Sequence, residues 1–261
     1  MKRRALFAVL AGLTLTLINL PSHAADAYQR IVDRNTIRIA VPTDYPPFGF
    51  VGSDMKAKGI DIDMANLIAQ KLGVRLELIP VTGPNRIAYL QSGRADLTIS
   101  SLGKTPEREK VIDYSIAYSP FYDAIYGRKD IKIEGFGDLA GRTIAVTRGS
   151  MQDEELQQMA PNAVVRRFED NNATLAAFLS GQTEMFATGT AVAAAVMEKN
   201  PNVPMDLKVI LANAPCYIGV PKGEKVLLAK INEIIRGAKQ DGTLDRISQT
   251  WLGTSAGDLP E

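Results

Sequence analysis

The sequence predicts an α/β fold in two lobes. Three observations carry that prediction: strand and helix patterns alternate, the alternation recurs in the second half of the chain, and two segments are suited to crossing between the halves. The first cycle opens with TIRIAV, residues 36–41, which reads as a strand. YPPFGF, residues 45–50, reads as a rigid loop, because paired prolines restrict the backbone ahead of two aromatics. GIDIDMANLIAQKLG, residues 59–73, gives an amphipathic helix ending at Gly73, with Ile62, Ala65, Leu67 and Ile68 on its apolar side. A strand over VRLELIP, a short helix over RIAYLQSG stopped by Gly93, and a strand over ADLTIS complete the cycle.

The second cycle repeats that order without close identity. DLAGRTIAVTRGSMQDEELQQMAP, residues 138–161, reads as turn, strand, Gly/Ser loop and helix. AVVRRF is the next strand, NATLAAFLSG a helix, and TEMFATG a strand with its outgoing loop. YSPFYDAIYGRKD, residues 118–130, is the first crossing segment, and KVILANAPCYIGVPKG, residues 208–223, reads as a return strand. The remaining VLLAKINEIIRGAKQDGTLDRISQTWLG forms the C-terminal helices. On these readings one lobe comprises residues 25–127 and 221–261, and the other residues 128–220 with the crossing linkers. Such a chain leaves a cleft where loops and helix N-termini follow the strand ends.

At the N-terminus, MKRR precedes ALFAVLAGLTLTLINL and PSHA, which together read as the charged region, apolar region and cleavage site of a secretory signal peptide spanning residues 1–24. Cleavage is expected after Ala24, and export to the periplasm with it. The apolar stretch is shorter than the roughly 20 residues of a comfortable bilayer span, and no cysteine near the cut offers a lipid anchor. The chain has 30 basic and 29 acidic residues, a net charge of +1; loss of Lys2, Arg3 and Arg4 changes this by three, to −2. That balance makes no general electrostatic case for nucleic acid.

Cys216 is the single cysteine, so no intramolecular disulfide forms. His23, the single histidine, leaves with the signal, which removes histidine metal sites and His-dependent triads from the mature chain. No metal, nucleotide or redox cofactor is implied.

SSLGKTPEREK, residues 100–110, poses the sharpest functional question: a catalytic loop, an anion cradle or an ordinary strand-to-helix turn. Together with YPPF, GIDIDMANLIAQKLG, QSGRADLTISSLGKTPERE, DYSIAYSPF and DGTLDRISQTWLG, it resembles the bacterial extracellular solute-binding proteins, family 3, of polar amino-acid uptake. The resemblance covers essentially the whole mature chain. It implies a type II periplasmic binding protein fold, an α/β pair of lobes that closes on a small solute and delivers it to a membrane ABC permease; a monomer is expected, because the cleft accounts for the functional surface without an oligomer.

The resemblance also implies a site. Arg108 matches the arginine that grips a solute carboxylate, a task suited to the guanidinium fork, with Ser101, Leu102 and Gly103 beside it. Thr105 can cap the following helix. Tyr45 matches an aromatic cleft wall, with Phe48 packing beneath it. Asn85 and Arg86 lie where relatives meet the solute side chain, and the NRI pattern resembles members associated with acidic or amide amino acids; Arg86 could equally be a surface or ion-paired arginine. From the second lobe, Arg148, Gly149, Ser150 and Met151 match a loop that closes over the carboxylate, with Ser150 also readable as a helix N-cap ahead of Asp153.

The sequence departs from the family pattern at GQTEMFATGTAVAA. Gly189, flanked by Thr188, stands where an aspartate often meets the solute ammonium group, and Glu184 reads as structural. A neutral hydroxyl does not replace the attraction of a carboxylate for a cation. Three explanations stay open: Thr188, backbone carbonyls and Asp44 hold the ammonium; the match is offset and hides the acid; or the solute is a non-amino organic acid. A periplasmic dehydratase of the cyclohexadienyl type is the enzyme alternative, but no isolated acid and no activated nucleophile is evident, so no catalytic residue is expected.

Overall fold

The computed structural model describes residues 26–261. The signal peptide and its cleavage point lie outside the described residues. No helix among the described residues is long and apolar enough to cross a membrane.

The first lobe is built on a sheet of order β5-β1-β6-β13-β7, from Arg75–Val81, Thr36–Pro42, Leu97–Leu102, Cys216–Pro221 and Ile112–Ser119. Strands β5, β1 and β6 run parallel, and β13 is antiparallel to both β6 and β7. The second lobe repeats the pattern as β10-β9-β11-β8-β12, from Val164–Phe168, Thr143–Thr147, Met185–Gly189, Tyr122–Arg128 and Met205–Asn213. Here too the first three are parallel and the fourth is antiparallel to its neighbours. The alternating pattern thus yields two related sheets, each with its edge strand leaving for the fourth position of the other.

That exchange fixes the lobe boundaries. Strand β7 ends at Ser119 and β8 begins at Tyr122, while β12 ends at Asn213 and β13 begins at Cys216. By sheet membership the chain crosses at residues 120–121 and 214–215, not at 127/128 and 220/221 as the sequence suggested. The segment read as one return strand is two strands in different sheets, divided by Ala214 and Pro215.

Helices cover both faces of each sheet, as a parallel layer buried on two sides requires. In the first lobe, α2 (Ile60–Leu72), α8 (Lys225–Gln240) and α9 (Thr243–Leu252) bury Met64, Ile68, Ile231 and Ile235 against β1, β6 and β13, including the inert thiol of Cys216. The short α3 (Arg86–Gln91) covers the other face, with Leu90 against Leu102 and Ile112. In the second lobe, α5 (Met151–Met159) packs Leu156 on Ile144 and Val146. On the opposite face, α6 (Asn171–Leu179) and α7 (Thr190–Lys199) pack Phe178, Ala193 and Val196 around Phe186.

Three features departed from the sequence pattern or were not visible in it. Helix α1 (Ala27–Arg34) starts at an Asp26 cap whose side chain accepts from the Gln29 N–H. YPPFGF is part of a small sheet of β2 (Asp44–Tyr45), β3 (Gly49–Val51) and β4 (Ala57–Lys58), with a cis bond between Pro46 and Pro47. Helix α7 begins directly from β11, with Gly189 at its N-cap and no side-chain cap to announce it.

Phe178 is fully buried, its ring centroid 4.7 Å from that of Phe186. Truncation to alanine leaves a cavity that the flanking sheet cannot fill, so Phe178→Ala is expected to destabilise the second lobe by about 3–5 kcal/mol. Urea unfolding monitored by circular dichroism checks this; a loss below about 1 kcal/mol would contradict the packing described.

Candidate functional site

The C-terminal ends of the parallel strands in both lobes open onto one cleft. Pro42 at the end of β1, Val81 at the end of β5 with Gly83 beyond it, and Ser100, Ser101 and Gly103 around the end of β6 line it from the first lobe. Thr147, Ser150, Met151, Gln152 and Asn171 face them from the second, with Phe121, Asp123 and Ala214 at the crossings. The innermost cavity is small, about 40 Å³. A second pocket of about 450 Å³ adjoins it, sharing Asp44, Tyr45, Thr147 and Asn171, and extends toward Phe50, Leu175, Phe186 and Lys199.

The lobes meet across this cleft through polar contacts. Both oxygens of Asp44 on β2 accept from Asn171 at the start of α6, Oδ2 from its backbone N–H at 2.8 Å and Oδ1 from Nδ2 at 2.9 Å. Tyr45 stacks on Phe121, and its hydroxyl accepts from the Gly189 N–H at 3.1 Å and shares a hydrogen bond with Thr188 Oγ1 at 3.1 Å. Gly103 lies against the Met151 side chain; a Cβ at residue 103 would stand 2.5 Å from Met151 Cγ, so any larger residue there would displace that side chain.

Arg108 makes the strongest of these bridges. It sits in α4 (Pro106–Glu109), whose N-cap Thr105 accepts from the Arg108 N–H as the sequence suggested. Its guanidinium donates from Nη1 to the Gly103 carbonyl at 3.0 Å, and from Nη2 to the Gly149 carbonyl at 3.1 Å and Glu154 Oε1 at 2.8 Å. In this arrangement the fork faces backbone and a carboxylate of the opposite lobe, and Arg108 does not line the cavity.

Arg86 does line it. The side chain is 6% exposed, and Nη1 donates to the Ser100 carbonyl at 2.7 Å while Nε has no hydrogen-bond partner. Burial, and then repulsion from Arg108, pulls its pKa down to about 10. Two guanidiniums close enough to repel inside a buried cleft favour an anion beside them.

Ser101 occupies the cavity wall with φ of +40°, a conformation that is strained for a residue with a Cβ. Asp61 of α2 holds it there: Oδ2 accepts from the Ser101 N–H at 2.9 Å, and Oδ1 accepts from the Tyr118 hydroxyl at 2.6 Å. Ser150 lines the cavity while capping α5 through the Asp153 N–H.

Other expected residues stand elsewhere. Asn85 turns back to accept from the Thr82 N–H at 2.9 Å, because its place before α3 makes it a local turn residue. Leu102 alternates away from the cleft and is buried with Leu90 and Ile112. Gly149 presents its carbonyl to Arg108 and its N–H to Asp153. Thr188 and Gly189 lie behind Tyr45; Thr188 lines the adjoining pocket, and neither lines the small cavity. Arg148 is exposed and paired with Glu169, and Glu184 is paired with Arg142 at the start of β9.

The sequence reading did not single out Asp123 or Gln152. Asp123 lies on β8, fully buried, accepting from Gln152 Nε2 through Oδ1, with Oδ2 unpartnered. Burial, followed by the nearby Glu155 carboxyl, pushes its pKa well above the usual carboxylate range, and Glu155 is likewise raised, chiefly by burial. The available signal was an acid, in YDAIYG, within an otherwise apolar strand beside a crossing.

The sequence model for bacterial extracellular solute-binding proteins, family 3, matches residues 37–254. The chain is 26% identical over 254 residues to the L-cystine-binding protein TcyJ of Escherichia coli (strain K12), covering 96% of each. To the ABC transporter glutamine-binding protein GlnH of Bacillus subtilis (strain 168) it is 29% identical over 232 residues, covering 87% of this chain and 85% of that one. The structure of an ancestral arginine-binding protein bound to arginine aligns with a TM-score of 0.81 at 34% identity, over 84% of this chain and 99% of that one.

The Asp61 carboxyl that positions Ser101 has its pKa raised from 3.8 to about 6, with burial the largest cause. A carboxyl whose folded pKa is raised contributes stability that is complete below the unfolded value and lost as pH rises through the folded one. The contribution therefore fades between about pH 4 and pH 6 and amounts to about 3 kcal/mol. Asp61→Asn should lack this dependence, so its stability relative to the wild type should improve by about that amount across the interval. Urea midpoints at a series of pH values would show it, and parallel curves for the two proteins would refute it.

Proposed function

The chain belongs to the bacterial extracellular solute-binding proteins, family 3, and we propose that its solute is a small polar amino acid, acidic or amide in character, captured by lobe closure in the periplasm and passed to an ABC permease. The observation that carries this reading is the pair of buried guanidiniums, one of which, Arg86, lines the innermost cavity with an unpartnered Nε. A solute carboxylate placed there would accept from Arg86 and relieve its repulsion with Arg108.

The adjoining pocket supplies the space for a side chain. It mixes apolar walls from Leu175, Phe186 and Val192 with polar groups from Asn171, Asn172, Lys199 and Asn200. The relatives support an amino-acid solute, being named for cystine, glutamine and arginine, of which glutamine alone carries a side-chain amide. Arg108 serves closure in this reading: its hydrogen bonds to Gly149 and Glu154 join the lobes beside the bound carboxylate. The mechanism is a population shift, in which the solute favours the closed form by the contacts it makes only there. Binding alone accounts for these groups, and the family is one of solute receptors rather than enzymes.

A thermal-shift screen of the mature protein against the common L-amino acids should identify one or a few that stabilise it, by about 2.7 kcal/mol at a concentration of 100 times Kd. Arg86→Lys should then weaken that amino acid about 10–100-fold in isothermal titration, because a lysine point charge does not reproduce the guanidinium geometry. Unchanged affinity in Arg86→Lys would remove Arg86 from the site. A screen in which only organic acids lacking an amino group bind would overturn the amino-acid reading itself.

A further inference from the structure

We propose that Asp123 is the cation anchor of the cleft, receiving the α-ammonium group of the solute. The inference rests on the reading of the solute as an amino acid and adds the group that recognises its positive end.

Asp123 is 0% exposed and lines the innermost cavity, with Oδ1 engaged by Gln152, Oδ2 receiving no N–H from the protein, and the Glu155 carboxyl within hydrogen-bonding reach. From the other lobe, Arg86 reaches the same cavity with its own unpartnered nitrogen. A buried acid and a buried base, each with an open hydrogen-bonding position, are together complementary to a zwitterion. A dicarboxylate without an amino group would satisfy Arg86 but bring no positive charge to the Asp123 and Glu155 carboxyls. Asp123 and Arg86 line one small cavity of about 40 Å³, a setting suited to amino and carboxyl groups that share one carbon.

The ladder shows why the acid stands here. Gly189 on β11 pairs directly with Asp123 on β8. A side chain at residue 189 is excluded, because its Cβ would stand 2.3 Å from the Phe121 ring. The Tyr45 hydroxyl also takes the Gly189 N–H. The position at which an acid was expected is thus filled by aromatic groups, and a carboxyl appears at its cross-strand partner, nearer the crossing.

The charge surroundings agree. Asp123 is faced by Glu155 and Gln152 of α5, by Arg108 of α4 and by Arg86 of α3, while Glu154 adds a further negative charge near Glu155. Burial and the Glu155 carboxyl favour the protonated form of Asp123 in the free protein. An ammonium group at Oδ2 reverses that preference, so binding should release protons.

The test uses the L-amino acid that gives the largest shift in the screen, together with its des-amino analogue, on the wild type and on Asp123→Asn. The wild type should prefer the amino acid by about 10–100-fold, and the variant should reduce this to about threefold or less, with analogue affinity retained as the sign of an intact cleft. Titration of the wild type at pH 7 in buffers of different ionisation enthalpy should show more proton release for the amino acid than for the analogue. This second measurement stands even if the variant fails to fold. Full preference in Asp123→Asn, or equal proton release by the two ligands, overturns the assignment of Asp123 alone. Binding of organic acids and of no amino acid overturns both this inference and the reading beneath it.

Discussion

Burial of two arginine side chains at the end of β6 is the constraint around which the cleft is organised. Charged groups leave water at a cost of several kcal/mol each unless partners replace the lost hydration. Arg86 recovers part of that loss from the Ser100 carbonyl within its own lobe, whereas Arg108 draws on Gly103 of its own lobe and also on Gly149 and Glu154 of the opposite one. Compensation of the second charge therefore depends in part on closure. Lobe geometry and site electrostatics are one problem in this protein, because the strands that build the cleft also determine which carbonyls are within reach.

The backbone around these charges is held by buried polar groups rather than by loop composition. Asp61 reaches from α2 to the Ser101 N–H and to Tyr118, joining a helix, a strand end and the first crossing strand. Its hydrogen bonds offset the strained φ at Ser101, which costs of the order of 1–3 kcal/mol. On the second lobe, Ser150 and Asp153 perform the corresponding task for the loop opposite, and Asp153 also pairs with Arg167 at 2.8 Å. Both walls are thus fixed before a solute is present.

Much of this architecture was legible in the sequence, because parallel strands and their covering helices carry strong apolar patterns. The repeated order of strands and the Thr105 and Ser150 caps follow from local chemistry, whereas the cleft positions of Tyr45, Ser101 and Gly103 and the packing of Phe48 came from the resemblance to the family. The crossings were less legible: β7 and β8, and likewise β12 and β13, are separated by two residues and read as continuous apolar runs. Side-chain direction was the other limit. Arg86 and Arg108 are both arginines at helix starts, and only tertiary geometry shows that the first enters the cavity while the second spans the lobes. Asp123 was hidden for a related reason, since its significance depends on its partner across the ladder rather than on its neighbours in sequence.

These placements bear on how closure can be made conditional. Asp44 with Asn171, Tyr45 with Gly189, and Arg108 with Gly149 and Glu154 favour the closed form whatever the cleft contains. Acting alone they would close the receptor permanently, and a solute could then shift nothing, because a ligand moves an equilibrium only by its differential affinity for the two states. The opposing terms lie in the same cavity: the unpartnered atoms on Arg86 and Asp123, which contact between the lobes removes from water. Each buried unsatisfied group costs about 1–3 kcal/mol, enough to balance a few interlobe hydrogen bonds of about 1 kcal/mol each. A solute that satisfies those atoms removes the opposition while leaving the interlobe contacts in place. Polar groups left open in the cleft therefore contribute twice, first by disfavouring closure without solute and then by recognising the solute that permits it.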